Sequence, residues 1–161
     1  MARKIKVGWF SFTCCEDSTI LFIELLNDKF SEWREKTEFV HARILQDNNR
    51  WEPMDIAFVE GAISSKHDEE TVLKIRSLAQ KVVAIGSCAC TGMPSAQRNQ
   101  FDEATRREIQ FIIDRFGYLP RVSPLKEVIK VDYEVPGCPM DEKKFLEVFE
   151  GLISEFEKGQ N

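Results

Sequence analysis

Apolar residues along this chain fall into short continuous runs that alternate with longer amphipathic segments. The runs predict β-strands over residues 5–10, 38–42, 54–59, 81–85 and 128–135. Apolar residues at helical spacing predict helices over residues 18–30, 68–80, 103–116 and 139–156. Because parallel crossovers need an intervening segment, this alternation favours a parallel sheet. The pattern therefore predicts an α/β fold of the flavodoxin-like type, with helices on both faces of a parallel sheet.

Length and composition narrow the range of partners. The 161 residues are 43% hydrophobic, so we expect residues 1–161 to form a single domain with its own core. The formal charge of -5 and the scattered basic residues argue against a nucleic-acid interface, which needs a basic face. No window is apolar enough to cross a bilayer, and the amino terminus has no signal-peptide core. We expect a cytoplasmic protein with no nucleic-acid partner and no direct membrane insertion.

The cysteines lie in turns that follow predicted strands. Cys14 and Cys15 follow the first strand, Cys88 and Cys90 follow the fourth, and Cys138 follows the last. The carboxyl ends of parallel strands meet at one edge of the sheet, where open α/β folds bind their ligands. The odd count of five cysteines weakens a disulfide interpretation. We therefore expect these turns to meet at one metal centre.

Thiolate ligands are compatible with an iron–sulfur cluster or with zinc. Four thiolates are the usual ligands of a [4Fe-4S] cluster. Structural zinc sites usually contain paired C-x2–4-C motifs, whereas this chain has an adjacent pair and two distant loops. The spacing therefore favours one iron–sulfur cluster.

Five cysteines are more than the four ligands of such a cluster. Cys90 is the expected spare, because Cys88 directly follows a Gly-Ser turn and Cys90 lies further along the loop. The residues alone also allow Cys90 to bind, with Cys14 or Cys15 free. Another possibility is that some of these thiols are ordinary buried side chains, which are common in protein cores.

Four motifs of the chain form a recognisable series. In chain order they are Phe12-Thr13-Cys14-Cys15-Glu16-Asp17-Ser18, Val59-Glu60-Gly61-Ala62, Ile85-Gly86-Ser87-Cys88-Ala89 and Val135-Pro136-Gly137-Cys138-Pro139. Together they resemble the small subunit of nickel-iron hydrogenases, and related motifs occur in the 20 kDa cluster-bearing subunit of complex I. The resemblance implies a flavodoxin-like fold and a proximal [4Fe-4S] cluster. Its ligands, carried over by motif, would be Cys14, Cys15, Cys88 and Cys138.

The chain departs from most hydrogenase small subunits in two ways. Those subunits separate the first two ligands by two residues, whereas Cys14 and Cys15 are adjacent, as in the complex I relative. The sequence ends at Asn161 without the cysteine-rich extension that carries two further clusters in many hydrogenases. The resemblance therefore implies a subunit with a single cluster.

The resemblance implies an electron-transfer subunit of a multi-subunit, cytoplasmic [NiFe] hydrogenase. Hydrogen would be split or formed at the Ni-Fe site of a partner large subunit, and this chain would hold no nickel and no catalytic residue. Its cluster would pass electrons to iron–sulfur or flavin subunits that use NAD(P) or ferredoxin. The segment over residues 93–99 is also similar to these multi-subunit, cytoplasmic hydrogenases, which form a bidirectional group.

Two alternative functions stay open. A complex I-type subunit that reduces quinone would share the fold, but the chain lacks a membrane-facing apolar or basic helix, and its Glu60-Gly61 turn favours hydrogenase. A protein-interaction module, with or without a structural metal such as zinc, would involve no redox chemistry.

Glu16 and Glu60 are candidates for proton transfer at the large-subunit interface, and Arg98 is a candidate to pair with an acidic residue of a partner. A flavin is not expected at the first turn, because two cysteines replace the phosphate-binding residues.

Overall fold

A five-stranded parallel sheet lies at the centre of the structure, a computed structural model that describes residues 3–159. The strands are β1 (Ile5–Ser11), β2 (Thr37–Ala42), β3 (Met54–Glu60), β4 (Ile63–Ser65), β5 (Ala79–Ile85), β6 (Tyr118–Ser123) and β7 (Tyr133–Val135). The helices are α1 (Asp17–Lys36), α2 (Lys66–Leu78), α3 (Gly86–Thr91), α4 (Glu103–Phe116) and α5 (Glu142–Gly159). Short 3-10 segments cover Ser95–Gln100 and Leu125–Glu127. The predicted domain limits at residues 1 and 161 lie outside the described residues.

The main sheet has the strand order β2-β1-β3-β5-β7, and its neighbouring strands are parallel. This is the flavodoxin-like order, in which the first strand lies between the second and the third. The predicted fold class is therefore confirmed. Strands β4 and β6 form a separate antiparallel pair beside the main sheet.

Helices cover both faces of the main sheet. Along β3, Ile56 and Phe58 pack in one core cluster, whereas Ala57 and Val59 pack in the other. This alternation follows from the two-residue period of a strand. The first cluster is closed by α1 and α5, and the second by α2 and α3. Because both faces are buried, β3 has no exposed residue, which explains its continuous apolar run.

Several predicted boundaries differ from the structure. Helix α1 runs to Lys36 rather than ending at residue 30, and the last extended segment is reduced to the short strand β7. Residues 86–91 were expected in a loop but form α3. Strand β6 was not predicted, because Pro120 and its exposed neighbours give it no alternating apolar pattern. None of the helices within residues 3–159 is long and apolar enough to span a membrane.

A buried carboxylate ties together the strand starts at the edge opposite the cysteine turns. The carboxylate of Asp55, 2% exposed, accepts two hydrogen bonds from Arg3, at 2.7 and 2.8 Å. It also accepts from the N–H of Lys6 at 2.8 Å and from the amide of Gln80 at 2.8 Å. Burial alone would raise the pKa of Asp55, but the hydrogen bonds and positive charges outweigh it and lower the pKa.

Candidate metal centre

Three turns at the carboxyl edge of the main sheet bring four cysteines to one cleft. The cysteines that line it are Cys14, Cys15, Cys88 and Cys138. The turns follow β1, β5 and β7, the strands after which the sequence predicted ligands. The thiols therefore meet at the edge where parallel α/β sheets bind their ligands.

The first turn, between β1 and α1, is held against the loop that follows β3. Thr13 and Ala62 exchange two backbone hydrogen bonds, of 3.1 and 2.9 Å. Gly61 has a φ of 95°, and a Cβ there would lie 2.8 Å from the neighbouring backbone, so only glycine allows this approach. Glu16 adopts a left-handed conformation, with a φ of 63°, and turns the chain from the adjacent cysteines into α1.

The second turn lies where β5 ends and α3 begins. Gly86 has a φ of 78°, and a Cβ there would lie 2.9 Å from the hydroxyl of Ser18, at the start of α1. Cys88 is 7% exposed, and its sulfur lies 3.2 Å from Oγ of Ser95. The same hydroxyl donates a 2.9 Å hydrogen bond to the carbonyl of Thr13. Ser95 therefore connects the second turn to the first.

The third turn, after β7, packs against the other two. The carbonyl of Gly137 accepts a 2.7 Å hydrogen bond from the N–H of Ser87. The N–H of Met140 donates to the hydroxyl of Ser18 at 3.1 Å. Cys138 lies between Gly137 and Met140 in the chain and is exposed. Hydrogen bonds at Ser18 and Ser87 thus join the third turn to α1 and α3.

The four thiols differ in their exposure to solvent. Cys88 is buried and Cys14 is half-buried, whereas Cys15 and Cys138 are exposed. The cleft therefore has a protected side against the protein and an open side at the surface.

The four thiols of the cleft match in number and kind the usual ligands of an iron–sulfur cluster. Within residues 3–159, no group of three or more His, Cys, Asp or Glu side chains is placed to hold one metal ion. In a [4Fe-4S] cluster each thiolate binds a different iron, so the ligands stand further apart than those around one zinc ion. Four thiols distributed around one cleft have the chemistry that such a cluster needs.

A buried carboxylate holds the start of α1 beside the cleft. Glu60, 3% exposed, accepts hydrogen bonds from the N–H groups of Ser18 and Thr19, at 3.1 and 3.0 Å. It also accepts a 2.6 Å hydrogen bond from the hydroxyl of Thr19. Burial raises the pKa of Glu60, and these hydrogen bonds oppose the rise. Glu16, the other candidate for proton transfer, is exposed.

The electrostatics around Cys14 favour its neutral thiol in the metal-free protein. Burial, and then the charge of Glu60, raise the pKa of Cys14 to about 12. This thiol is therefore protonated at pH 7, and a bound metal would have to displace its proton.

Cys90 lies apart from the four-cysteine cleft. It is 2% exposed and packs in the core cluster on the α2 side of the sheet. Its thiol donates a weak 3.7 Å hydrogen bond to the carbonyl of Ala84, and burial raises its pKa to about 12. Its exclusion from the ligand set stays a prediction.

Two serines that connect the turns were missed by sequence reasoning. The hydroxyls of Ser18 and Ser95 bridge residues that are distant in the chain. A serine at a helix start usually indicates a cap, so its presence at position 18 does not by itself indicate a contact with the third turn. Ser95 lies in the segment over residues 93–99, but the similarity of that segment assigned no contact to this serine.

Residues 14–152 match the family model described as the 20 kDa subunit of NADH ubiquinone oxidoreductase. The chain belongs to this family. The match includes all four cysteines of the cleft and the strands β5 and β7, and it begins after β1. The predicted resemblance to the complex I subunit is thereby confirmed.

Components of known hydrogenases are similar to this family member over most of its length. One component of the vhu F420-non-reducing hydrogenase of Methanocaldococcus jannaschii is 30% identical, over 93% of this chain and 56% of that protein. The delta subunit of the NAD-reducing hydrogenase HoxS of Cupriavidus necator is 26% identical, over 94% of this chain and 79% of that protein. The chain thus spans little more than half the length of the first of these relatives.

A solved structure of an NAD+-reducing [NiFe]-hydrogenase in the H2-reduced state contains a chain of the same fold. The two chains superpose with a TM-score of 0.80 at 27% sequence identity. The match covers 94% of this chain and 93% of the other. The predicted resemblance to hydrogenase small subunits is therefore confirmed.

Proposed function

We propose that this chain is the electron-transfer small subunit of a multi-subunit [NiFe] hydrogenase. It forms a single iron–sulfur domain and holds one [4Fe-4S] cluster through Cys14, Cys15, Cys88 and Cys138. The observation that carries this proposal is the meeting of these four thiols at one cleft. The similarity to subunits of known hydrogenases over nearly the whole chain supports the same conclusion.

Each cysteine turn has a defined part in this function. The cluster, when bound, would accept and release single electrons. Cys88 and Cys14 hold it on the protected side of the cleft, where burial limits its contact with water. Cys15 and Cys138 hold it at the open side. The open side is therefore where we expect a partner to approach closely enough for electron transfer.

The proposed partners follow from this arrangement. The large subunit, which would contain the Ni-Fe site, covers the open side of the cleft. Further iron–sulfur or flavin subunits take the electrons and deliver them to NAD(P) or ferredoxin. The complex works in the cytoplasm. Glu16 is exposed beside the first turn and stays a candidate for proton transfer across the interface, whereas Glu60 holds the start of α1.

A complex I-type, quinone-reducing subunit is the second candidate, because the matching family model is that of the complex I subunit. The similarity to components of two hydrogenases favours the first candidate. The two candidates differ in the partner that they need, because only a hydrogenase complex contains nickel.

Anaerobic purification of the native complex through a tag on this chain tests the proposal. We expect a co-purifying subunit that contains nickel. After anaerobic separation of this chain from the other subunits, we expect about four iron and about four sulfide per chain and a brown visible absorption. In the intact complex, hydrogen should bleach the absorption as the cluster is reduced. Cys88→Ser should abolish the iron of the separated chain, and Cys90→Ser, the matched control, should retain it. Zinc without sulfide would contradict the proposal, and iron with quinone reductase activity but no nickel would favour the second candidate.

A further inference from the structure

Helix α4 is amphipathic, yet none of its residues is buried. Four of its apolar residues lie at helical spacing: Ile109, Ile112, Ile113 and Phe116. Ile112 and Phe116 are 38% and 62% exposed. Helices in proteins are stabilised mainly by packing of an apolar face, so a face that is only partly covered indicates a surface that another molecule covers.

An arginine and two aromatic rings continue this surface beyond α4. The ring of Phe116 lies 6.3 Å from that of Tyr118, which is 41% exposed. The guanidinium of Arg98 lies over the ring of Tyr118, 5.9 Å from its centroid. Aromatic residues and arginine are enriched in protein interfaces and among the residues that dominate binding energy.

The same region contains a cavity of about 340 Å³ that is lined by three arginines. Arg121 is paired with the carboxylate of Glu127. Within residues 3–159, Arg98 and Arg106 form no ion pair. The two arginines line this cavity together, and none of its described lining residues is acidic.

Backbone carbonyls hold both guanidinium groups in place. Arg98 donates to the carbonyls of Pro120 and Ser64, at 3.2 and 3.4 Å. Arg106 donates to the carbonyl of Asn99 at 2.7 Å. Burial lowers the pKa of Arg98, which reflects the cost of holding its charge away from water. Each guanidinium has five N–H donors, so both keep donors for a further acceptor.

We propose that the cavity and the adjoining face of α4 and β6 form a docking surface for another protein subunit. That subunit inserts an Asp or Glu side chain between Arg98 and Arg106 and covers Phe116 and Tyr118 with apolar side chains. A carboxylate is the group that matches the guanidinium fork. A small free anion would satisfy the arginines but leave the aromatic rings exposed, so the surface as a whole favours a protein. The proposal rests on the proposed function only for the existence of a multi-subunit complex.

Site-specific photo-cross-linking in the native complex tests the contact. With p-benzoylphenylalanine in place of Phe116, illumination should cross-link this chain to a subunit peptide that contains Asp or Glu. The matched control carries the same amino acid in place of Phe30, a 50% exposed ring on α1, and should not reach that peptide. Absence of a cross-link from position 116, in a complex that keeps all its subunits, would overturn the proposal.

Charge reversal tests the role of the arginines. Arg106→Glu should weaken retention of the cross-linked subunit more than about tenfold, because a carboxylate would then face the partner's carboxylate. Arg107→Glu makes the same change on the same helix, at a side chain that is 75% exposed and paired with Glu103, and should leave retention unchanged. Exchange of the partner's acidic residue for Arg should restore binding to the Arg106→Glu variant. Equal retention in both variants would refute the ion pair.

Two further measurements distinguish a failure of the docking proposal from a failure of the proposed function. Inorganic phosphate titrated into the full-length chain should give no saturable shift of the Arg98 and Arg106 side-chain NMR signals. A saturable shift, with no effect of Arg106→Glu on assembly, would assign the cavity to a small anion and overturn the proposal. Iron and sulfide are assayed in the same samples. A chain that retains its cluster but fails the cross-linking test refutes the docking surface alone, whereas a chain without iron refutes the proposed function.

Discussion

The hydroxyl of Ser95 lies 3.2 Å from the sulfur of Cys88. It also donates a hydrogen bond to the carbonyl of Thr13 at 2.9 Å. One side chain therefore links the turn after β5 to the turn after β1. Cysteines that follow different strands can form one site only if their turns keep a fixed separation, and this serine supplies one of the links.

We expect Ser95→Ala to lower the free energy of unfolding of the metal-free chain by about 1 kcal/mol, because it removes the hydrogen bond to Thr13 and the weaker contact with the sulfur of Cys88. It should also speed the loss of bound iron to a chelator, since the two turns would move more independently. Urea denaturation and chelator kinetics measure these effects. Ser77→Ala, which removes a local 2.7 Å hydrogen bond to Lys74 on α2, is the matched control. Equal iron-release rates in both variants would contradict the linking role.

Removal of the charge of Glu60 should destabilise the start of α1. Its carboxylate accepts hydrogen bonds from two N–H groups and one hydroxyl, and an amide cannot accept all of them as strongly. We expect Glu60→Gln to lower the free energy of unfolding by about 1–3 kcal/mol. Glu24→Gln, at an exposed position of α1, should change it by less than about 0.5 kcal/mol. Urea denaturation of the metal-free chain measures both, and equal stabilities would show that the contact contributes nothing.

Much of the fold could be predicted because the buried strands of the main sheet are also the most apolar segments of the chain. Strand β3 is buried on both faces and therefore reads as a continuous apolar run. Strand β6 could not be predicted, because its pairing partner β4 is only three residues long and its side chains are largely exposed. Helix α3 is short and consists of small residues, so it carries no periodic signal.

The site was predictable in outline but not in its internal contacts. Cysteines after parallel strands indicate a shared edge, and the structure brings Cys14, Cys15, Cys88 and Cys138 to one cleft there. The hydrogen bonds that fix their turns depend on side chains far apart in the chain, such as Ser18 with Met140. Neither hydrophobic periodicity nor local motifs contain that information.

Acid should destabilise the metal-free chain partly through Asp55. Its pKa is lower in the folded protein than in the unfolded chain, so the unfolded chain binds more protons as the pH falls. The contribution of Asp55 to stability is complete above about pH 5 and is lost as the pH falls below about 4. We expect Asp55→Asn to lower stability at pH 7 and to reduce the slope of stability against pH below about pH 4. Urea denaturation from neutral to acid pH measures this slope.

Asp47→Asn is the control for this experiment, because Asp47 is an exposed loop residue. Its stability curve should follow that of the unmodified chain at each pH. If Asp55→Asn also follows that curve, the buried contact of Asp55 with Arg3 and Lys6 does not contribute to acid unfolding.

Two glycine substitutions with opposite expected effects test the geometry of the third cysteine turn. Gly137 has a φ of 117°, and a Cβ there would lie 2.5 Å from the carbonyl oxygen of Pro139. Gly137→Ala should therefore destabilise the metal-free chain by more than about 1 kcal/mol. It should also lower iron occupancy, because relief of the clash would displace Cys138.

Gly151 lies within α5 and has no atom within 4 Å of an added Cβ. Gly151→Ala should stabilise the chain by about 0.5–1 kcal/mol, because alanine loses less backbone entropy in a helix than glycine does. Thermal unfolding and iron assay of both variants distinguish the two effects. If Gly137→Ala kept full stability and a full complement of iron, the turn would not need its left-handed glycine, and the close approach of Gly137 to the carbonyl of Pro139 would not fix the position of Cys138.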